Sequence, residues 1–289
     1  MNRFLLCALA ALTLVSCQKE PRNPDPAPSA NQHPWEADFN SRYPDATVSK
    51  SEYDRWIYFT DTGGYENVAV YNGAKWLMTQ KSYVLDPNGF DFGKVAPRMV
   101  IYAYLNSPLG GYATEYLSLV EITRDGLDQK QYEFLCKSPT ISEDRDRISR
   151  TLYRLFISED GTLLSCEEPY GPSIDHPDMS ASIARVREKY KDAVLLGAAG
   201  NDDGDCIFIR EGNIVKDVKT VFQAEHMVWA ETSYEIPRSD ALPAQVLQDI
   251  ESTEMSGKKL LSIRYVERPD ANYYKLIWSG GFSSLIKDE

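Results

Sequence analysis

Seven residues, Gly200–Cys206 (GNDDGDC), concentrate three aspartates, an asparagine and two glycines. Oxygen donors packed this densely are the ligand type that hard cations such as Ca²⁺ require. The EF-hand spacing fails, however. Counted from Asn201, the sixth position is Cys206 where glycine is needed, and the twelfth is Gly212 where a bidentate glutamate is needed. Asn-Asp and Asp-Gly also favour tight turns, because they tolerate positive φ and bond their own backbone. A turn is therefore expected, with a weak Ca²⁺ site at Asp202, Asp203 and Asp205 as the alternative. The three histidines, His33, His176 and His226, stand far apart. Zinc binding and a histidine-based triad thus lack the clustered ligands they need. Nucleophile-elbow, phosphate-loop and zinc-protease motifs are absent from the sequence, and no pattern calls for a cofactor. Among 43 acids nothing selects the paired carboxylates of a hydrolase, so an enzyme is the minority expectation.

Cysteines and aromatics are the remaining chemical groups. Cys136 and Cys166 invite a disulfide in an oxidising compartment. Their strands, though, bracket a third strand over Leu152–Ile157. Two strand spacings are about 9.6 Å, beyond the roughly 7 Å that a disulfide spans between Cα atoms, so buried thiols are expected. Most of the ten Phe, five Trp and eighteen Tyr alternate along strands as core residues. The stretch Leu109–Tyr116 (LGGYATEY) differs. It reads as a glycine-flanked loop after a helix, and Tyr112 and Tyr116 become candidate partner-binding residues.

The amino terminus indicates location. Arg3 precedes an apolar run from Phe4 to Val15, shorter than the about 20 residues of a membrane span. The run ends in Leu14-Val15-Ser16-Cys17, which resembles the lipobox of bacterial lipoproteins. That resemblance implies a signal peptide over 1–16 and a lipidated Cys17 that contacts the membrane through its acyl chains. Residues 17–34 are proline-rich and polar, the composition of an extended tether. Gln18-Lys19-Glu20 resembles part of the surface-export signal of Bacteroidetes lipoproteins, with a single acid after the basic residue. Loss of Arg3 with residues 1–16 moves the formal charge from −12 to −13. Such a surface repels nucleic acid phosphates and excludes that partner class.

The elements that would position these groups come in two copies. Pro97 aligns with Pro243, and the register runs on through Val100 with Val246, Gly111 with Gly257, and Val120-Glu121 with Val266-Glu267. Upstream, Tyr43-Pro44-Asp45-Ala46 matches Tyr190-Lys191-Asp192-Ala193, and Trp76-Leu77-Met78-Thr79 matches Trp229-Ala230-Glu231-Thr232. Each copy reads as two cycles of a helix followed by a strand meander. Leu242, Val246 and Ile250 recur every fourth residue, with Pro243 at the helix start and Gly257 beyond its end. Strands are expected over 56–59, 68–71, 76–84, 117–122 and 152–157, joined by Asn72-Gly73, Asp125-Gly126 and Asp160-Gly161 turns. The fold class is α+β, two tandem repeats with helices laid on one face of antiparallel meanders. Domain 1 spans 35–168, a Pro- and Gly-rich linker 169–178, and domain 2 179–289.

The Tyr-Pro-x-Ala, Trp-x-x-Thr and Leu-Pro helix-start motifs resemble those of the PepSY-like lipoproteins of Bacteroidetes, similar in fold to the beta-lactamase inhibitory protein. The resemblance covers about Trp35 to Trp278 and implies helical segments packed on four-stranded sheets. It also implies a non-catalytic, lipid-anchored envelope module, periplasmic or surface-exposed, that binds an envelope or secreted protein partner. After Trp278 few residues remain, so the final hairpin is expected to be short or missing. A glycan ligand stacked on exposed aromatics is the alternative.

Overall fold

A computed structural model of the chain describes residues 33–83, 95–107, 109, 115–139, 150–167, 178–201, 204–238, 240–279 and 283–288. The lipobox, the tether up to residue 32, the linker residues 169–177 and Tyr112 lie outside these.

The first half opens with α1 (Glu36–Arg42), followed by β1 (Thr47–Glu52), β2 (Trp56–Thr60), β3 (Glu66–Asn72) and β4 (Lys75–Tyr83). Helix α2 (Arg98–Leu105) then precedes β5 (Glu115–Arg124), β6 (Gln131–Pro139), β7 (Arg150–Ser158) and β8 (Leu163–Glu167). The second half repeats the plan. It runs α3 (Ser180–Lys189), β9 (Val194–Asn201), β10 (Gly204–Glu211), β11 (Ile214–Gln223), β12 (His226–Glu235), α4 (Ala244–Met255), β13 (Leu260–Glu267), β14 (Asn272–Trp278) and β15 (Ser283–Lys287). Every strand pairs antiparallel with its sequence neighbour, giving one sheet of eight strands and one of seven. Pairing of β4 with β5, and of β12 with β13, fuses the two cycles of each half into a single sheet. The fold is α+β with two repeat-like halves, as the sequence patterns indicate. The final hairpin is present but short, since β15 has five residues.

The helices have seven to twelve residues, at or below the length at which an isolated helix is marginal in water. Burial must therefore hold them. Phe39 of α1 is sealed with Trp35 over Ile57, Phe59, Ala69 and Tyr71. Val100 and Tyr104 of α2 pack on Leu119, Phe134, Leu155 and Ile157. Ile183 and Val186 of α3 cover Ile207, Ile209 and Val218, and Val246 and Ile250 of α4 cover Ile263, Leu276 and Trp278. Pro97 and Pro243 occupy equivalent positions, each just ahead of the first helical residue with φ near −57 and −56° and extended ψ. Gly257 lies beyond α4 at φ +86°, the left-handed cap expected from its sequence position.

Side chains alternate across each strand, so every sheet has a helix-covered face and a helix-free face. The helix-free faces of the two sheets meet through Phe156 and Leu164 of the first half and Leu196 and Phe208 of the second. Polar contacts flank this apolar seam. The Leu195 amide donates to Asp128 Oδ2 at 2.8 Å, the Ala198 amide donates to Gln131 Oε1 at 2.9 Å, and Arg210 pairs with Asp160 at 2.5 Å. Burial opposes ionisation of Asp160, but hydrogen bonds from Ser158, Arg210 and Thr162 hold its carboxyl well below the usual range. Arg187 of α3 reaches the β5–β6 turn, donating to Gly126 O and pairing with Asp128. Gly126 sits there at φ +80°, where a Cβ would come within 3.2 Å of Ile183. The first half thus supplies partners to the outward amides of edge strand β9, groups that would otherwise template association with another chain.

Cys136 on β6 pairs with Tyr153 of β7, and Cys166 on β8 with Leu155 of β7, so a full strand separates them. Cys136, Cys166 and Cys206 are thiols, as the meander requires. Burial, then the neighbouring Cys166, pushes the Cys136 thiol up to about 12. Burial likewise raises the Tyr190 hydroxyl to about 12. It also raises Tyr71, Tyr83 and Tyr132, with Asp38 or Glu121 adding to the effect. These groups hold their protons more tightly folded than unfolded. Their contribution is complete below the ordinary values of 9.0 and 10.0 and is lost as pH climbs toward 12. The melting temperature should therefore fall steeply above about pH 9, with tyrosinate absorbance appearing at the unfolding transition. Titration of these tyrosines near their ordinary value in the intact fold would contradict this account.

Candidate binding surfaces

The residues singled out by type fall in different places. Asn201 of β9 lies opposite Gly204 of β10, a tight hairpin connection. Asp202 and Asp203 lie outside the described residues. Asp205 is buried beneath α3, and its carboxylate accepts a hydrogen bond from the buried Ser182 hydroxyl. Tyr116 belongs to the start of β5, opposite Cys136, rather than to the loop expected from its glycine-flanked setting. His226 is the exposed first residue of β12. His33, placed in the tether by composition, instead stacks on Trp35 and brings Nδ1 within 2.6 Å of Asp54. Composition missed this contact because one ordered histidine carries no periodicity.

The motifs that reveal the duplication are fasteners. In the first half the Thr79 hydroxyl accepts the Trp76 indole N–H at 2.9 Å and meets the Tyr43 hydroxyl at 2.5 Å. In the second half Thr232 does the same for Trp229 at 2.8 Å and Tyr190 at 2.7 Å. Even the cation is repeated. Arg42 lies 4.4 Å from the centre of the Trp76 ring, and Lys189 lies 3.7 Å from that of Trp229. These residues tie each first helix to the fourth strand after it.

The repeat also shows where the halves differ without structural need. On α2, Met99, Tyr102 and Leu105 are 55%, 64% and 57% exposed and share one face by i, i+3 spacing. The aligned residues of α4 are Gln245, Gln248 and Glu251, all exposed and all polar. One helical position in one fold is therefore filled by apolar residues in one copy and polar residues in the other. Met99 also backs onto the β7–β8 turn at Gly161, which the seven-stranded second sheet lacks, so the contrast is cleanest at Tyr102 and Leu105. The stripe lies immediately before the segment bearing Tyr112.

A second feature lies at the seam. The helix-free face of the first sheet and residues 198–200 of β9 border an open cleft of about 320 Å³, lined by Trp56, Arg124, Gln131, Glu133, Arg154 and Phe156 among others. Arg124 is only 4% exposed and Gln131 only 1%. Arg154 pairs with Glu133 at 2.7 Å. Because the Ala198 amide is a donor, the Gln131 side chain must present its oxygen there. Its Nε2 then has no hydrogen-bond partner among the described residues. By strand register the second copy keeps an arginine, Arg268, where the first carries Arg124, and has Tyr273 and Lys275 in place of Gln131 and Glu133.

On the helix-covered face of the second sheet, Tyr234, Tyr265 and Tyr274 form a half-buried ladder across β12–β14. Successive rings are inclined by 49° and 75°, so the ladder offers no flat platform for stacking a sugar. None of the described helices is long and apolar enough to cross a membrane.

No family model and no curated protein matches the chain. Among solved structures it is similar to a DUF2874 family protein from Bacteroides uniformis, with 15% identity over 49% of this chain and 96% of that one, at a TM-score of 0.36. A DUF2874 family protein from Bacteroides ovatus shares 18% identity over 48% and 89%, at 0.34. A BLIP-like protein from Bacteroides fragilis shares 16% over 49% and 88%, at 0.36. At these scores the likeness bears on neither partner nor activity.

Proposed function

We propose that this chain is a PepSY-like, envelope-anchored lipoprotein, held by acyl chains on Cys17, whose folded part is a non-catalytic module for a protein partner. The observation that carries the reading is the apolar stripe of Met99, Tyr102 and Leu105, set where the repeated helix carries Gln245, Gln248 and Glu251. Exposed apolar residues grouped on one face favour a partner surface over water. The net charge, −13 once residues 1–16 are removed, would steer a basic partner toward that contact.

The repeat supplies its own test. The triple variant Met99→Gln, Tyr102→Gln, Leu105→Glu installs the α4 residues at positions where this fold already carries them. Its melting temperature should stay within a few degrees of the parent. A protein cross-linked specifically to the parent in envelope extract should be lost from the variant. Retention of that partner by the triple variant would remove α2 from the contact. Adding Tyr112→Ala and Tyr116→Ala then measures the adjoining segment. For the anchor, membrane-extracted protein should begin at Cys17 with a diacyl or triacyl group by mass spectrometry, and Cys17→Ala should release the chain from the membrane fraction.

A further inference from the structure

We propose that the helix-covered face of the first sheet carries a binding site for a neutral saccharide, in the open cleft beside the carboxyl end of α1. The cleft has a volume of about 430 Å³, within the range of ligand sites. Its floor is a row of alternating charge. Asp61 pairs with Lys81 at 2.7 Å and Glu121 with Lys130 at 2.8 Å, while Lys81 and Glu121 stand directly opposite each other on β4 and β5. At the rim Arg42 pairs with Asp38. Every cation of the lining thus has its carboxylate, and an ion entering the cleft would bring a charge that nothing there balances. Hydroxyl groups suit such a row, because each can donate to a carboxylate and accept from an ammonium. The row is also held in place beforehand. Glu121 accepts from Lys130 and from the Tyr83 and Tyr132 hydroxyls, which leaves it room for about one more donor. Each lysine ammonium has donors beyond the one its carboxylate takes. Thr123 adds a hydroxyl, and Trp76 and Phe59 add aromatic surface for the C–H edges of a sugar ring.

The fold does not require this set. Counted from the equivalent Thr79 and Thr232, which face Thr123 and Glu267, the second sheet places Tyr234 and Tyr265 where the first has Lys81 and Glu121. It also has Lys216, paired with Glu211, where the first has Asn67. Half-buried tyrosine rings therefore occupy in one copy the position that is an ion-paired cleft floor in the other. The cleft is lined by α1 and not by α2, so it stands independently of the proposed partner contact.

NMR titration of the purified chain with the methyl glycosides of glucose, galactose, mannose and N-acetylglucosamine should give saturable binding of at least one. For the best of them, the corresponding uronate and the protonated 2-amino sugar should bind about tenfold or more weakly, because each adds an unbalanced charge. The zwitterion alanine, neutral but without hydroxyls, should also bind more weakly. Lys130→Met removes a donor and leaves the Glu121 carboxylate unbalanced. The Lys130 side chain is 42% exposed, and such pairs contribute little to stability, so the melting temperature should hold. The variant should weaken the neutral glycoside and bind the amino sugar more tightly than the parent does, a gain that a misfolded protein could not produce. Asn67→Lys, Lys81→Tyr, Glu121→Tyr installs the residues of the second copy and should abolish glycoside binding. The α2 triple variant should bind the glycoside as the parent does, which separates this site from the partner surface. Absence of saturable binding for all four glycosides, equal or tighter binding of the charged analogues or of alanine, or unchanged affinities in Lys130→Met would overturn the assignment.

Discussion

Replacing Gly197 with valine should loosen the seam between the halves and lower stability by about 1–3 kcal/mol, the usual cost of overpacking. A Cβ at this position would lie 2.5 Å from Leu164 Cδ1 and 2.9 Å from Gln131 Oε1. Gly197 shows no left-handed φ, so backbone strain in the variant is not the source of the effect. Leu164 could swing away only by leaving the cluster it forms with Phe156, Leu196 and Phe208. Gln131 could move only by releasing the Ala198 amide. Either response transfers the damage to the contact between sheets and spares each sheet's own ladder. The signature is therefore local. Hydrogen exchange at the Leu195 and Ala198 amides should accelerate, since their acceptors Asp128 and Gln131 belong to the first half. Amides inside β2–β3 should keep their protection. A drop of about 2–4 °C per kcal/mol is expected for a chain of this size. Unchanged exchange at both seam amides would show that the halves do not rely on this contact.

The same seam marks the limit of what the sequence discloses. Strands were legible because Ile57 and Phe59, or Leu155 and Ile157, alternate with more polar neighbours, and because Asn72-Gly73 and Asp125-Gly126 punctuate them. The helices of the second cycles were legible from Pro97 and Pro243. Contact between the halves was not, because it involves residues on the other side of strands whose helix-facing pattern already accounts for the folding signal. One clue existed. Val194-Leu195-Leu196 is a continuous apolar run, the mark of a strand covered on both faces. The seam cleft was hidden for a different reason. The lining residues Gln131, Glu133 and Phe156 come from neighbouring strands, and only the register of β6 and β7, which sets Glu133 opposite Phe156, places them together. The α2 stripe, by contrast, could have been read directly by carrying the Pro97–Pro243 alignment to surface positions.

Thr232→Val should be the more damaging of two equivalent substitutions, and the difference tests whether the repeated motif is a structural fastener. Valine matches threonine in shape, so packing is nearly preserved. What disappears is the one hydroxyl that serves both Trp229 Nε1 and the Tyr190 hydroxyl. Each buried polar group left without a partner costs about 1–3 kcal/mol, so the loss should reach about 2–5 kcal/mol. Thr79→Val breaks the same pair of bonds in the first half. Its site, however, is less sealed. Thr79 is 8% exposed against 0% for Thr232, and Tyr43 is half-buried where Tyr190 is buried. Water can reach the orphaned groups there, so the cost should be smaller. Thr232→Ser retains the hydroxyl and should restore most of the stability, separating the lost hydrogen bonds from any change in shape. Equal costs at the two sites would contradict the burial argument, and a serine variant as unstable as the valine would show that packing of the methyl, not the hydroxyl, holds the helix to its sheet.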